Sequence, residues 1–336
     1  MTRRWADKTN WGELKQDFEA ALQECPDFPP SVRIDGSIKR IDAGLNHRNY
    51  SFRIKADEPV PNQSHPVCVA RLIRKDADPG LGGPLARLKS EAAVMKQLAA
   101  HDLPISVPRF VRFVGDSADR PTGLIETAVL GLPLDYIVKT ETGKPAVIGH
   151  VARVAAAIHR LDAARFEGLP RAADSRSDIL EDLGGFDAEF LERDPEAAAV
   201  AAWVRAHLPE GRGVVLVHGD LLPQNLLWDM DTDRLGVVDW EYARLGDPAY
   251  DLAIVCRGSQ QPLGCPHGRR MLLDLYHEAG GAPIGRADVH THELLMVLRW
   301  LWRAIKAERF GREGGQPPDF YRSRLRAVLR RTEQNE

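Results

Sequence analysis

The periodicity of the chain changes once, near residue 130, and that change restricts the folds open to it. Before it, SVRIDGSIKRI, NYSFRIKA and PVCVARLIR alternate or carry β-branched residues and are bounded by Gly, Pro or Asn, as strands are. PLARLKSEAAVMKQLAAH follows with apolar residues at helical spacing. RFVRFVG and TGLIETAVL read as two further strands, separated by the turn-forming DSADRPTG. An amphipathic helix, TNWGELKQDFEAALQE, precedes them all, with Thr9 or Asn10 as its cap. After residue 130 helical spacing dominates, in PAVIGHVARVAAAIHRLD, DPEAAAVAAWVRAHL, DPAYDLAIVCR, RRMLLDLYHEAG, ELLMVLRWLWRAIKAER and DFYRSRLRAVLRRTEQ. The polar, Gly-bearing stretch from Ala163 to Phe186 is expected to be a mobile insertion. The pattern predicts an α+β, bilobal architecture. A small antiparallel sheet lobe with one helix spans residues 1–128, and a larger, mainly helical lobe spans 129–336. Ligands usually sit in a cleft between such lobes.

A length of 336 residues exceeds what one simple core organises. With 43% apolar and 28% charged residues, the chain has the composition of a soluble globular protein. A net charge of −3 argues against nucleic acid as the main partner. Cys25, Cys68, Cys256 and Cys265 are scattered without a C-x-x-C pair, so neither a disulfide framework nor a zinc ribbon is indicated. MTRRWADKTNWGELKQ lacks the apolar core of a signal peptide, and no run approaches 18 apolar residues. The expectation is a cytoplasmic protein without a membrane partner, in a compartment that supplies nucleoside triphosphates.

Chemistry concentrates in VLVHGDLLPQNLLWD, residues 215–229, and in RLGVVDWE just after it. Two strand-like runs each deliver an acid at their end, Asp220 and Asp239, with Asn225 between. Ordinary polar turns would also use these residue types. Phosphoryl transfer, however, needs a positioned nucleophile, metal ions on the phosphates and a cation beside them. Asp220 can orient an attacking hydroxyl or accept its proton. Asn225 offers a neutral oxygen to a hard cation, and Asp239 supplies the ionised oxygen that Mg²⁺ prefers.

HGDLLPQNLLWD…LGVVDWEYARLGDPAYDLA closely resembles the aminoglycoside phosphotransferases, choline kinases and related small-molecule kinases, which share the protein-kinase-like fold. The resemblance implies that Asp220 is the catalytic aspartate and that Asn225 and Asp239 hold Mg²⁺. It implies that His218 is structural and that Asp251 braces the catalytic loop from a helix. That helix has its own start signal, Asp247 as N-cap and Pro248 at the first position. More faintly, AGLNHRNYSFRI resembles the phosphate-covering loop, with Gly44, Asn46, His47 and Asn49. VCVARL resembles the strand that carries the phosphate-binding cation, but Arg71 stands where most kinases have Lys. Arginine binds phosphate too, as a planar fork. Glu91 matches the glutamate that pairs with this cation, and Glu126 to Ala128 the hinge that would hold adenine. The resemblance runs from about Asp42 to Ala253. It implies an ATP-dependent, Mg²⁺-requiring kinase that phosphorylates a hydroxyl of a small molecule, of the aminoglycoside, choline or sugar type.

Three rivals compete with that expectation. A protein kinase is disfavoured because VDWE replaces Asp-Phe-Gly and nothing resembles an activation segment before DPAYDLA. A regulatory nucleotide-binding module would be expected to lack Asp220, Asn225 or Asp239, and all are present. A metal-dependent phosphohydrolase normally needs more His and Asp ligands. Elsewhere, HTHE (His290, His292, Glu293) hints at metal ligation but reads as a helix start. The arginines of YRSRLRAVLRR recur at helical spacing, as on a solvated face. Trp300 and Trp302 fall on opposite flanks of one apolar helix stripe, so at most one of them can border an acceptor pocket.

Overall fold

The computed structural model describes residues 11–41, 47–60, 66–74, 83–115, 123–140, 143–256, 262–309 and 316–333. The chain divides into two compact units, one of Met1–Asp102 with Val107–Val129 and one of Leu103–Ser106 with Leu130–Glu336.

The first unit contains α1 (Trp11–Gln23), β1 (Arg33–Ile41), β2 (His47–Lys55), β3 (Val67–Ile73), α2 (Pro84–Leu98), β4 (Phe110–Val114) and β5 (Gly123–Thr127). The strands form one sheet in the order β1-β2-β3-β5-β4, antiparallel at every pairing. β3 is central, which is why VCVARLI is apolar nearly throughout: Cys68, Ala70 and Leu72 are all buried. The amphipathic α1 lays Phe18 and Leu22 on the sheet, and the Phe18 ring stacks on Phe52 at 5.4 Å. Glu19 fixes the angle of approach by accepting the Ile34 N–H at 2.8 Å.

The second unit contains β6 (Leu132–Pro133), α3 (Leu134–Val138), α4 (Gly143–His159), α5 (Ser175–Gly184), α6 (Ala188–Arg193) and α7 (Pro195–Ala206). β7 (Val215–Val217), β8 (Leu226–Asp229), β9 (Arg234–Val237) and β10 (Arg244–Gly246) follow. The chain continues through α8 (Ala249–Cys256), α9 (Gly268–Glu278), α10 (Arg286–Arg309) and α11 (Pro318–Glu333). Its strands make two small sheets, β6-β8-β9 and β7-β10. The short stretch 103–106 belongs here because Ser106 exchanges backbone hydrogen bonds with Leu235 and Val237, at 2.7 and 2.9 Å. α4 is buried over most of its length, and Val147, Ile148, Val151, Val154 and Ile158 are all inaccessible. No helix among the described residues is long and apolar enough to cross a membrane.

The stretch from Ala163 to Phe186 corrects the expectation of a mobile insertion. It holds α5, capped where the Asp174 carboxylate accepts the Ser177 N–H at 2.7 Å. It also buries Phe166, Leu169, Ala172, Ile179, Leu183 and Phe186. Its polar residues, which read as loop, are caps and ion partners: Asp178 takes a bidentate contact from Arg244, and Asp182 pairs with Arg299 at 2.8 Å.

Candidate active site

β7 is three residues long, and its register against β10, Val217 opposite Arg244, releases the chain at His218. The turn that follows requires glycine. Gly219 has φ 82°, and a side chain there would run into the backbone and Cβ of Tyr242. The N–H groups of His218 and Gly219 both point at the carboxylate of Asp251, at 2.8 and 2.9 Å. Asp251 lies in the first turn of α8 and is wholly buried. Its other partner is His159 at the end of α4, 3.2 Å from Nε2, and His159 Nδ1 in turn meets the Tyr276 hydroxyl at 2.9 Å. Burial by itself would raise the Asp251 pKa. The hydrogen bond and charge of His159, with the contributions of His218, outweigh it and hold the carboxyl below its ordinary value.

His218 is held at both ring nitrogens. Nδ1 accepts the Asp220 N–H at 3.2 Å, and Nε2 donates to the Val238 carbonyl at 3.1 Å, so the proton resides on Nε2. Its ring centre lies 4.6 Å from that of Trp240, and both side chains are buried.

Beyond Asp220, Pro223 opens a single 3-10 turn, Pro223–Asn225, that brings Asn225 back against Asp220. The Asn225 amide nitrogen donates to the Asp220 carbonyl at 2.8 Å and to Asp220 Oδ2 at 2.9 Å. The Asn225 carbonyl accepts the Val238 N–H at 3.0 Å, which ties this turn to the end of β9. Asp239 comes next, with φ 71°, a left-handed conformation uncommon outside glycine and tolerated by Asp. His218, Asp220, Asn225 and Asp251 are thus joined by direct hydrogen bonds, and Asp239 adjoins the residue bonded to both His218 and Asn225.

In the first unit, Arg71 of β3 and Glu91 of α2 form a buried ion pair, and Arg71 Nη2 also reaches His47 Nδ1 at 3.3 Å. Asn49 faces Arg71 across the β2–β3 pairing. Glu126 is buried on β5 opposite Val69, and the Ala128 N–H extends the pairing to the Val67 carbonyl at 3.0 Å. Gly44 and Asn46 lie outside the described residues.

His159 and Tyr276 escaped the sequence reading. The one available signal was a histidine directly after the apolar run VAAAI. The HTHE residues sit inside α10, where His292 Nε2 contacts Asp247 Oδ2 at 3.2 Å and Glu293 pairs with Arg269 at 2.6 Å. Asp247 does more than cap: besides accepting the Ala249 N–H at 3.0 Å it receives Arg212. On α11, Arg322 and Arg326 pair with Asp194 and Glu196, while Leu325 and Val328 are buried. Trp302 packs edge-on against Phe186 and donates to Asp187 at 3.0 Å, and Trp300 lies against Tyr321; both border the α10 core.

A five-stranded antiparallel unit with two helices, and a mainly helical unit bearing this histidine–aspartate–asparagine loop, define an α+β protein of the kinase-like class. The chain belongs to the APH phosphotransferase enzyme family, whose model matches residues 37–290. It is 32% identical over 269 residues to the viomycin phosphotransferase of Streptomyces vinaceus, covering 74% of this chain and 82% of that protein. A solved putative aminoglycoside phosphotransferase from Ralstonia eutropha JMP134 superposes with a TM-score of 0.69 at 19% identity, covering 95% of this chain and 98% of the other. A thermostable mutant of the aminoglycoside phosphotransferase APH(4)-Ia, solved with AMP-PNP and hygromycin B, superposes with a TM-score of 0.60 at 20% identity, covering 88% and 94%. The protein is therefore a small-molecule phosphotransferase, a kinase-type enzyme with a hydroxyl acceptor.

Proposed function

We propose that this phosphotransferase transfers the γ-phosphoryl group of ATP, with Mg²⁺, to a hydroxyl of a cationic natural product of the viomycin or aminoglycoside kind, in the cytoplasm. The double hydrogen bond from Asn225 to Asp220 carries the reading. It uses the amide's donors on Asp220, so the Asn225 side-chain oxygen faces away from that carboxylate. That oxygen and the Asp239 carboxylate are hard donors of the kind Mg²⁺ selects, few in number, as suits an ion that keeps water and phosphate ligands. When bound, Mg²⁺ would neutralise charge on the phosphate oxygens.

Asp220 orients the acceptor hydroxyl and takes its proton as the new oxygen–phosphorus bond forms and the bond to ADP breaks. His218 holds the backbone of that aspartate, and Asp251 holds the backbone of the two residues before it. Arg71, paired with Glu91, supplies the cation on the phosphates, and Asn49 stands opposite it on β2. The backbone between Glu126 and Ala128 receives adenine. The 32% identical viomycin phosphotransferase favours a basic, polyfunctional acceptor over choline or a simple sugar.

ADP release should be measured with viomycin, a range of aminoglycosides, choline and simple sugars, with and without Mg²⁺. Acceptor-dependent release that requires Mg²⁺ and disappears in Asp220→Ala is expected. Release that ignores both acceptor and Mg²⁺, or an Asp220→Ala variant keeping more than about a tenth of wild-type kcat, would overturn the assignment.

A further inference from the structure

We infer that His47 is a positioning residue that orients Arg71 toward the nucleotide phosphates by serving as an uncharged second acceptor for its guanidinium. The inference rests on the proposed role of Arg71. His47 and Asn49 are two residues apart on β2 and share a face of the sheet, and Asn49 pairs with Arg71 on β3. His47 is thus the diagonal cross-strand neighbour of Arg71. Glu91 approaches the same guanidinium from α2. Arg71 Nη1 contacts Glu91 Oε1, while Nη2 contacts His47 Nδ1 at 3.3 Å, so two terminal nitrogens are held from two different elements. All three side chains are buried, at 5%, 0% and 3% exposure for Arg71, Glu91 and His47.

The chemistry determines which way the proton lies. An arginine has donors only, so His47 Nδ1 must be the acceptor and the imidazole proton resides on Nε2. Two restraints on one planar group fix its plane as well as its position; the point charge of a lysine has no plane to fix. The neutrality of the second acceptor matters equally. Glu91 already balances the guanidinium charge once, and a second carboxylate at position 47 would reverse the local sign and repel phosphate. A neutral acceptor restrains the group and leaves its field intact.

The test is calorimetric titration of the full chain with a nonhydrolysable ATP analogue and Mg²⁺, with steady-state kinetics beside it. His47→Phe keeps an aromatic ring and removes the acceptor, and is expected to weaken nucleotide binding about tenfold, raising the KM for ATP with kcat at saturating ATP unchanged. His47→Asn places an amide oxygen near the position of Nδ1 and should restore affinity to within about threefold of wild type. In an Arg71→Lys background the two substitutions should bind alike, because no second arm remains to be held. His47→Leu provides the same comparison if His47→Phe does not fold. Wild-type affinity in His47→Phe, no rescue by His47→Asn, or an undiminished penalty in the Arg71→Lys background would overturn the inference while leaving the proposed function standing. A wild-type chain that binds no nucleotide would overturn both.

Discussion

Asn225 holds Asp220 by two hydrogen bonds from one amide nitrogen, to the main-chain oxygen at 2.8 Å and to carboxylate Oδ2 at 2.9 Å. The substitution that distinguishes this restraint from a simple supply of oxygen is Asn225→Asp. The new carboxylate is the better Mg²⁺ ligand, but it replaces a donor with an acceptor and sets like charge against Asp220. We expect kcat to fall by more than about tenfold even at saturating Mg²⁺. Activity equal to or above wild type would show that metal ligation alone defines position 225.

Asp239→Asn should act on the metal in the opposite sense. It keeps an oxygen at the same place but removes its charge, and the left-handed φ of 71° is one that Asn also tolerates. The expected outcome is a rise in the Mg²⁺ concentration needed for nucleotide binding. Calorimetry across a Mg²⁺ series measures it, and an unchanged Mg²⁺ dependence would contradict the role.

Arg71→Ala should affect stability as well as the KM for ATP, because it leaves the fully buried Glu91 without its counter-ion. Breaking a buried pair from one side costs about 3–5 kcal/mol. Arg71→Lys retains the charge and should keep partial activity with a smaller loss of stability. Chemical denaturation separates the stability effect from the kinetic one. An Arg71→Ala variant as stable as wild type would show that the pair does not hold the fold.

Asp251 gives the folded state an acid-sensitive point. Its pKa is held below the ordinary value despite burial, by His159, His218 and the backbone N–H groups it accepts. Asp247 is depressed in the same way, chiefly by His292 and Arg212 against the effect of burial. A carboxylate with a lowered folded-state pKa contributes stability that is fully present above its unfolded value, near 3.9, and is lost as pH falls through the folded value. The thermal midpoint should therefore drop progressively below about pH 4. Asp251→Asn should lower it at neutral pH and flatten that decline. A wild-type midpoint that stays level from pH 5 to pH 3 would contradict the linkage.

Local spacing made much of this molecule legible. Alternation in SVRIDGSIKRI and NYSFRIKA, and the apolar run of VCVARLI, marked three strands, because strand side chains alternate between faces and a central strand is buried, and the helical period after residue 130 marked helices of the second unit. The geometry of the 218–225 loop was equally visible: Gly219, Asp220, Pro223 and Asn225 act on one another within a few residues, so their order in the chain already encodes their geometry. Partners distant in sequence were not legible. His159 and Asp251 are 92 residues apart, His159 and Tyr276 are 117, and so are Asp182 and Arg299. Nothing in the chain near either member names the other. Their pairing depends on where α4, α8, α9, α5 and α10 pack, and burial then compels each polar group to find a partner. The same dependence turned Ala163 to Phe186 from an apparent loop into packed structure, since Asp178 and Asp182 look solvated until Arg244 and Arg299 arrive. The sequence determined the class of fold and which residues the loop brings together. Tertiary packing decided which buried groups hold that loop in place, because desolvation acts only once distant segments have closed around them.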